Sequence, residues 1–262
     1  MNFIDCHNHS LPEIDDGAEN MAMALEMLHI AQQDNISDII LTPHHLNGAF
    51  DNQTDAIRTA IDSLQTTCTK NKIQIKLHIG SEVHLTHETV EQLISGDALT
   101  YCDQGKAALI ELPKHSIPLG AEKSFEALLS AGITPIIAHP ERNSSIRRDL
   151  TILKKFVDIG CKSQLTAMSF TGEFGPELQK ISFKMIASGY VHLIASDAHK
   201  STTRPPILSK ANTLLNSHFN QEVSSLLLHT NPYNLITGSA VKELKISKKQ
   251  NRFRQFLSTF KL

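Results

Sequence analysis

Phe3-Ile4-Asp5-Cys6-His7-Asn8-His9 lies at the start of the chain and sets how the rest is read. An apolar beginning runs straight into polar residues, as a buried strand does where it reaches the surface. Side chains alternate faces along a strand, so His7 and His9 point to one side and can hold one cation. Similar apolar runs rich in Ile, Val and Leu recur at residues 38–44, 74–83, 107–112, 134–139, 162–166 and 192–196, which with 3–7 makes seven expected strands. Amphipathic segments lie between them. Residues 20–34 place Met21, Ala24, Leu25 and Leu28 on one helical face, and residues 53–71 do the same with Ala56, Ile57, Ala60, Ile61 and Leu64. Strand and helix in alternation predict a parallel sheet with covering helices. No Pro/Gly/Ser-rich linker, repeat or low-complexity block interrupts the chain, so residues 1–262 read as a single domain. Seven strands are one short of the common eight-stranded barrel, which leaves an open doubly wound sheet beside the barrel as an alternative.

The polar residues gather at the strand ends. Asp15-Asp16-Gly17 follows the first strand, and the second ends in Thr42-Pro43-His44-His45, where adjacent histidines face opposite ways and one points inward. The third ends at Gly80-Ser81-Glu82, the fourth at Glu111, and the fifth at His139-Pro140-Glu141-Arg142. The last ends in Ser196-Asp197-Ala198-His199, again a pair two apart. Six of the seven expected strands thus deliver an imidazole or a carboxylate to one rim. Carboxylates collected there without compensation would be strongly unfavourable, whereas divalent cations offset both the charge and the desolvation. Mixed imidazole and carboxylate ligands without cysteine suit Mn, Fe or Zn and argue against a closed structural zinc site. Several carboxylates imply more than one ion. Such a centre generates hydroxide from water near neutral pH, and Arg142 and Arg204 stand close in sequence to expected ligands, ready to grip phosphate oxygens. The expectation from residues alone is a metal-dependent phosphoester hydrolase.

Composition narrows the field. The 25 basic and 27 acidic residues give a net charge of −2, which provides no general pull toward nucleic acid or an anionic membrane. Fourteen histidines against 3 tyrosines and no tryptophan fit a metal-rich site. Cys6, Cys68, Cys102 and Cys161 are widely spaced and form no C-x-x-C pair, as expected of free thiols in a reducing compartment. The start of the chain lacks signal-peptide features and no apolar run is long enough to cross a bilayer, so a soluble cytoplasmic protein is expected. No G-x-x-x-x-G-K-[ST] loop is present, and no cysteine is followed six residues later by arginine, which excludes a cysteine–arginine thiolate phosphatase. The basic run at 242–254 (Lys242, Lys245, Lys248, Lys249, Arg252, Arg254) reads as a solvated terminal helix.

Asp5-Cys6-His7-Asn8-His9 resembles the D-x-H-x-H opening of the polymerase and histidinol phosphatase (PHP) superfamily. Leu11-Pro12-Glu13-Ile14-Asp15-Asp16-Gly17-Ala18 is similar to the LPGIDDGA stretch of one branch, the bacterial manganese-dependent protein-tyrosine phosphatases tied to capsule and exopolysaccharide synthesis. The likeness continues through Thr42–His45, Gly80–Val83, Ala138–Arg142, Ala195–His199, Arg204-Pro205-Pro206 and Asn231-Pro232, nearly the whole chain. It implies a distorted seven-stranded TIM-like barrel with three metal ions, Mn²⁺ foremost and Fe or Zn as alternatives, at the C-terminal rim. By this resemblance His7, His9, Glu82 and Asp197 surround one ion. Glu82 bridges to a second held by Glu111 and His139, and Asp16, His44 and His199 hold a third. Arg142, Arg204 and Asp197 form the catalytic set, with the arginines on phosphate. The implied substrate is phosphotyrosine on a bacterial tyrosine kinase that controls polysaccharide export. A small-molecule phosphatase of histidinol-phosphate type is the alternative, and a nuclease is disfavoured by the charge. Glu13 stands where the branch commonly has glycine. His45, His84, His87 and His115 read as surface histidines, and Gln164, Thr166 and Ser169, after the ligand-free sixth strand, as shaping the pocket.

Overall fold

The computed structural model describes residues 2–246. Nine parallel strands occupy the seven expected places: β1 (Phe3–Asn8), β2 (Ile36–Leu41), β3 (His44–His45), β4 (Lys76–Ile79), β5 (Glu82–His84), β6 (Ala107–Glu111), β7 (Thr134–Ala138), β8 (Lys162–Thr166) and β9 (Leu193–Ala195). Two of the expected strands are each broken in two. Pro43 has no N–H to give to a ladder, which separates β2 from β3. Gly80, between β4 and β5, packs against the neighbouring strand, and a Cβ there would lie 3.2 Å from the Ile40 side chain. Hydrogen bonding accordingly divides into sheets of order β1-β2-β4 and β3-β5-β6-β7-β8-β9. The far edges meet through a parallel bridge between Asn8 and Ala198, with Asp197 N donating to His7 O and His9 N to Ala198 O, each at 2.9 Å. The result is the expected distorted β/α barrel, not a continuously hydrogen-bonded one.

The helices confirm the amphipathic reading with adjusted faces. Met21–Gln33 is capped by Asn20, whose side chain accepts from Met23 N, and it buries Ala24, Met27, Leu28 and Ala31, leaving Met21 and Leu25 only partly covered. Thr54–Lys70 buries Ile57, Ile61, Leu64 and Cys68, while Ala56 is exposed, so its apolar stripe is narrower than the sequence indicates. Successive strand residues alternate between two apolar clusters. Ile39, Leu41, Ile110, Ile137 and Ile194 join Leu28, Leu64, Phe125 and Phe156 of the helices. Ile40, Leu109, Ile136, Leu193 and Ala195 form a smaller cluster with Tyr101 and Leu235.

Lys242 and Lys245 lie in irregular backbone, not in the expected terminal helix. Lys248, Lys249, Arg252 and Arg254 lie outside the described residues. Cys6, Cys68 and Cys161 are buried free thiols and Cys102 is half-buried. Among the described residues no helix is long and apolar enough to cross a membrane.

Candidate metal centre

Each strand end brings its polar residue to the same rim. His7 leaves β1, His44 opens β3, Glu82 opens β5, Glu111 closes β6, His139 follows β7, and Asp197 and His199 follow β9. Parallel pairing of β3 with β5 sets His44 directly opposite Glu82. His139 (φ 30°) and Asp197 (φ 52°) take left-handed backbone, a conformation that costs a non-glycine residue about 1–3 kcal/mol and that clusters at functional sites.

Glu82 lies at the middle of the group. Its Oε2 is 3.2 Å from His7 Nε2, 3.4 Å from His9 Nε2 and 3.1 Å from His44 Nδ1, and its Oε1 is 2.8 Å from His139 Nε2. Asp197 Oδ1 lies 3.5 Å from both His7 Nε2 and His199 Nδ1. Asp16 Oδ1 stands 3.4 Å from His44 Nε2 and 3.5 Å from His199 Nε2. Glu111 reaches within 4.0 Å of His44 and 3.9 Å of His139. Four overlapping groups have ligand atoms close enough for an ion: His9, Asp16, His44 and His199; His7, Glu82 and His139; His7, His9 and Asp197; His44, Glu82 and Glu111. All nine expected ligand residues are brought together, and His9 sides with Asp16, His44 and His199 as well as with His7.

The outer nitrogens of the imidazoles decide what the inner ones can do. His7 Nδ1 donates to Gln164 Oε1 at 2.8 Å; the amide orientation is set by Gln164 Nε2, which donates to Leu165 O. His9 Nδ1 donates to Asp15 Oδ2 at 2.6 Å, and His199 Nδ1 to Asp197 O at 3.0 Å. In its neutral form each of these rings therefore turns an Nε2 lone pair into the cluster. Two of those lone pairs, on His7 and His9, face each other at 3.1 Å. That contact, with the buried and hydrogen-bond-free Glu82 Oε2 beside it, is the donor set a divalent cation requires.

The local field is correspondingly strong. Burial would depress His44, but Glu82 and Asp16 raise it to about 11. His9 is likewise opposed by burial and lifted by Asp15 to about 9. His199 is pushed down to about 4 by burial and by the charge of His9. The His199 and His44 imidazoles, whose Nε2 atoms face its Oδ1, hold Asp16 far below the usual carboxylate range. Asp197 stays well below its ordinary value despite complete burial, because Arg142, His7 and Arg204 outweigh the desolvation. Both arginines bind Asp197 Oδ2: Arg142 through Nη2, and Arg204 through Nη2 at 2.7 Å, with the Arg204 guanidinium over the Phe174 ring.

Several side chains differ from their expected roles. His45 is buried, not on the surface: it points away from the cluster and its Nε2 meets Gln92 Oε1 at 2.7 Å. His84 belongs to the edge of the site, with Nδ1 3.1 Å from Glu111 Oε2. His87 and His115 are exposed as expected. Gln164 orients His7 directly, and Thr166 Oγ1 lies 3.4 Å from Asp197 Oδ2, whereas Ser169 Oγ is buried without a hydrogen-bond partner. Glu13 adopts φ 63°, so the turn that favours glycine is kept by a strained glutamate. Asp15 was not foreseen as a site residue, nor was Asp5, which accepts from Ser196 N, Ser196 Oγ and Asn8 Nδ2 and so ties β1 to the segment after β9.

Comparison with known proteins places the chain in a family. The family model described as capsular polysaccharide synthesis, CpsB/CapC, matches residues 3–237. The chain is 37% identical over 207 residues to a putative tyrosine-protein phosphatase CapC of Staphylococcus aureus, covering 79% of this chain and 81% of the relative. It is 38% identical over 224 residues to the tyrosine-protein phosphatase YwqE of Bacillus subtilis, covering 86% and 88%. A solved structure from work on YwqE of B. subtilis and CpsB of Streptococcus pneumoniae, described as unique metal-dependent tyrosine phosphatases, superposes with a TM-score of 0.89 at 34% identity, covering 94% of this chain and 99% of that one. The chain belongs to the CpsB/CapC family of capsular polysaccharide synthesis.

Proposed function

We propose that this chain is a cytoplasmic metal-dependent protein-tyrosine phosphatase whose substrate is a phosphotyrosine-bearing bacterial tyrosine kinase that regulates capsule or exopolysaccharide synthesis. The observation that carries the reading is the convergence of bare imidazole nitrogens and buried carboxylates directly beside two guanidinium groups. The nine residues His7, His9, Asp16, His44, Glu82, Glu111, His139, Asp197 and His199 would hold three ions, with Mn²⁺ the first choice and Fe or Zn also suited to a donor set that mixes imidazoles with carboxylates and has no thiolate. When bound, such ions lower the pKa of a coordinated water to about 7 and polarise a phosphoryl oxygen.

The protein's own groups supply the rest. Asp15 and Gln164 fix the tautomers of His9 and His7. Arg142 and Arg204 hold one side of Asp197 and offer their remaining N–H groups to phosphate oxygens, an arrangement that favours charge spread over a trigonal-bipyramidal phosphorus. Burial of the cluster excludes bulk water and strengthens each of these interactions.

The test is hydrolysis of a phosphotyrosine peptide beside histidinol phosphate, each with Mn²⁺ and with chelator. Faster cleavage of the peptide, abolished by chelator, is the expected result. Cleavage of histidinol phosphate alone would keep the metal chemistry and remove the tyrosine-phosphatase assignment.

A further inference from the structure

A cavity of about 200 Å³ opens beside the cluster, lined by Glu111, His139 and Arg142 on the polar side and by Leu112 and Ala138 on the apolar side, with Lys114 also in its wall. The loop carrying Lys114 is held to the loop carrying Arg142 by every carbonyl from 113 to 116. Asn143 Nδ2 donates to Pro113 O at 2.7 Å and to Ser116 O at 3.0 Å. Ser144 N donates to Lys114 O at 3.0 Å, and the Ser144 and Ser145 hydroxyls each donate to His115 O at 3.2 Å.

The other cations of this corner are already engaged. Arg142 pairs with Asp197, Arg147 donates to Arg142 O and meets Glu177 at 3.5 Å, and Arg148 donates to Ser144 O. Lys114 is exposed. Its ammonium has no hydrogen bond or ion pair among the described residues. A cation whose backbone is fixed at four successive carbonyls, free of partners and bordering the reaction cavity, is available to an anion that arrives with the substrate.

We propose that Lys114 is a specificity-determining residue that pairs with a carboxylate next to the phosphotyrosine, so that the substrate class of this site is a phosphotyrosine peptide with an acidic neighbour. The inference rests on the phosphotyrosine reading above. The phosphate itself is assigned to the metal ligands and to Arg142 and Arg204, and the apolar wall of Leu112 and Ala138 suits the tyrosine ring. Lys114 is exposed where it borders the cavity, so its ammonium can meet a residue that flanks the phosphotyrosine.

The experiment compares two phosphotyrosine peptides that differ only in Glu or Gln at the neighbouring positions, with p-nitrophenyl phosphate as an aryl substrate that has no flanking group. The metal-loaded wild type is expected to favour the Glu peptide in kcat/KM by about two- to fivefold, the range of an exposed ion pair. The preference should lie in KM and shrink as salt is added. Lys114→Ala should abolish it, Lys114→Glu should invert it and Lys114→Arg should retain it. A wild type indifferent to the flanking charge, or a preference that survives Lys114→Ala, overturns the proposal. So does a parallel loss on p-nitrophenyl phosphate, which would place Lys114 on the phosphate or in the fold. A wild type that cleaves neither peptide but cleaves another phosphoester overturns the phosphotyrosine reading, and this proposal with it.

Discussion

His7 Nε2 faces His9 Nε2 at 3.1 Å, and each ring has its other nitrogen committed, to Gln164 and to Asp15. Two lone pairs at that separation repel unless a proton or a cation lies between them. Chelation should therefore loosen the whole rim. At a hundredfold excess over the dissociation constant a bound ion adds about 2.7 kcal/mol, which for a chain of this size corresponds to about 5–10 °C in Tm. Thermal melts with chelator and then with restored Mn²⁺ read this directly, and an unchanged Tm would remove the metal site.

Asp15 acts through His9. Asp15→Asn leaves the volume intact but weakens the acceptor that holds the His9 proton on Nδ1, so metal affinity should fall about 10- to 100-fold. Competition against a coloured chelator measures the loss. The far-ultraviolet spectrum should not change, because Asp15 lies in the loop after β1 rather than in the barrel.

Arg204→Lys keeps the charge, and an ammonium could replace the single Nη2 that reaches both Asp197 Oδ2 and Asp197 O, but the guanidinium N–H groups left over for phosphate are lost. Activity on phosphotyrosine peptide should drop in kcat/KM by a factor on the order of 10², with metal content unchanged by elemental analysis. Loss of metal in parallel with activity would show that Arg204 supports the ligands and not the phosphate.

Metal binding should release protons. His9, raised to about 9, and His44, raised to about 11, carry protons at neutral pH in their carboxylate field, and a cation takes the neutral ring. Stabilisation from these raised groups is full below the ordinary histidine value and fades as pH rises through about 9 and then 11. Apparent metal affinity moves the opposite way, rising with pH over that window. Calorimetric titration in buffers of different ionisation enthalpy gives the proton count, and a pH-independent affinity would contradict it.

The ligands were legible because strands have a period of two. The spacing of His7 and His9 and of Asp197 and His199 pointed to the rim, and the apolar run before each pair marks it. Asp197 and His199 nonetheless lie beyond β9 with Asp197 in left-handed backbone, so their convergence is set by that turn and not by strand alternation. The inward turn of His44 and outward turn of His45 follow from the same rule, although burial of His45 on its far side depends on Gln92, contributed by a helix almost fifty residues away. The breaks at Pro43 and Gly80 were not legible as breaks. Both residues are visible in sequence, but their effect on the ladders depends on which strands lie alongside.

What the sequence determined by itself was the kind of centre: which residue types reach the rim, the lack of a cysteine followed six residues later by arginine, and the family to which the motifs belong. The tertiary structure decided how those residues divide their work. Asp15 and Asp16 are chemically identical neighbours, and only the turn closed by Gly17, where a Cβ would lie 2.0 Å from His9 O, sends one to His9 and the other toward His44 and His199. Lys114 and Arg142 are twenty-eight residues apart and border one cavity because β6 and β7 are neighbours in the sheet. Local sequence sets the direction of a side chain within its own strand, whereas contacts between strands depend on the order in which the barrel brings them together.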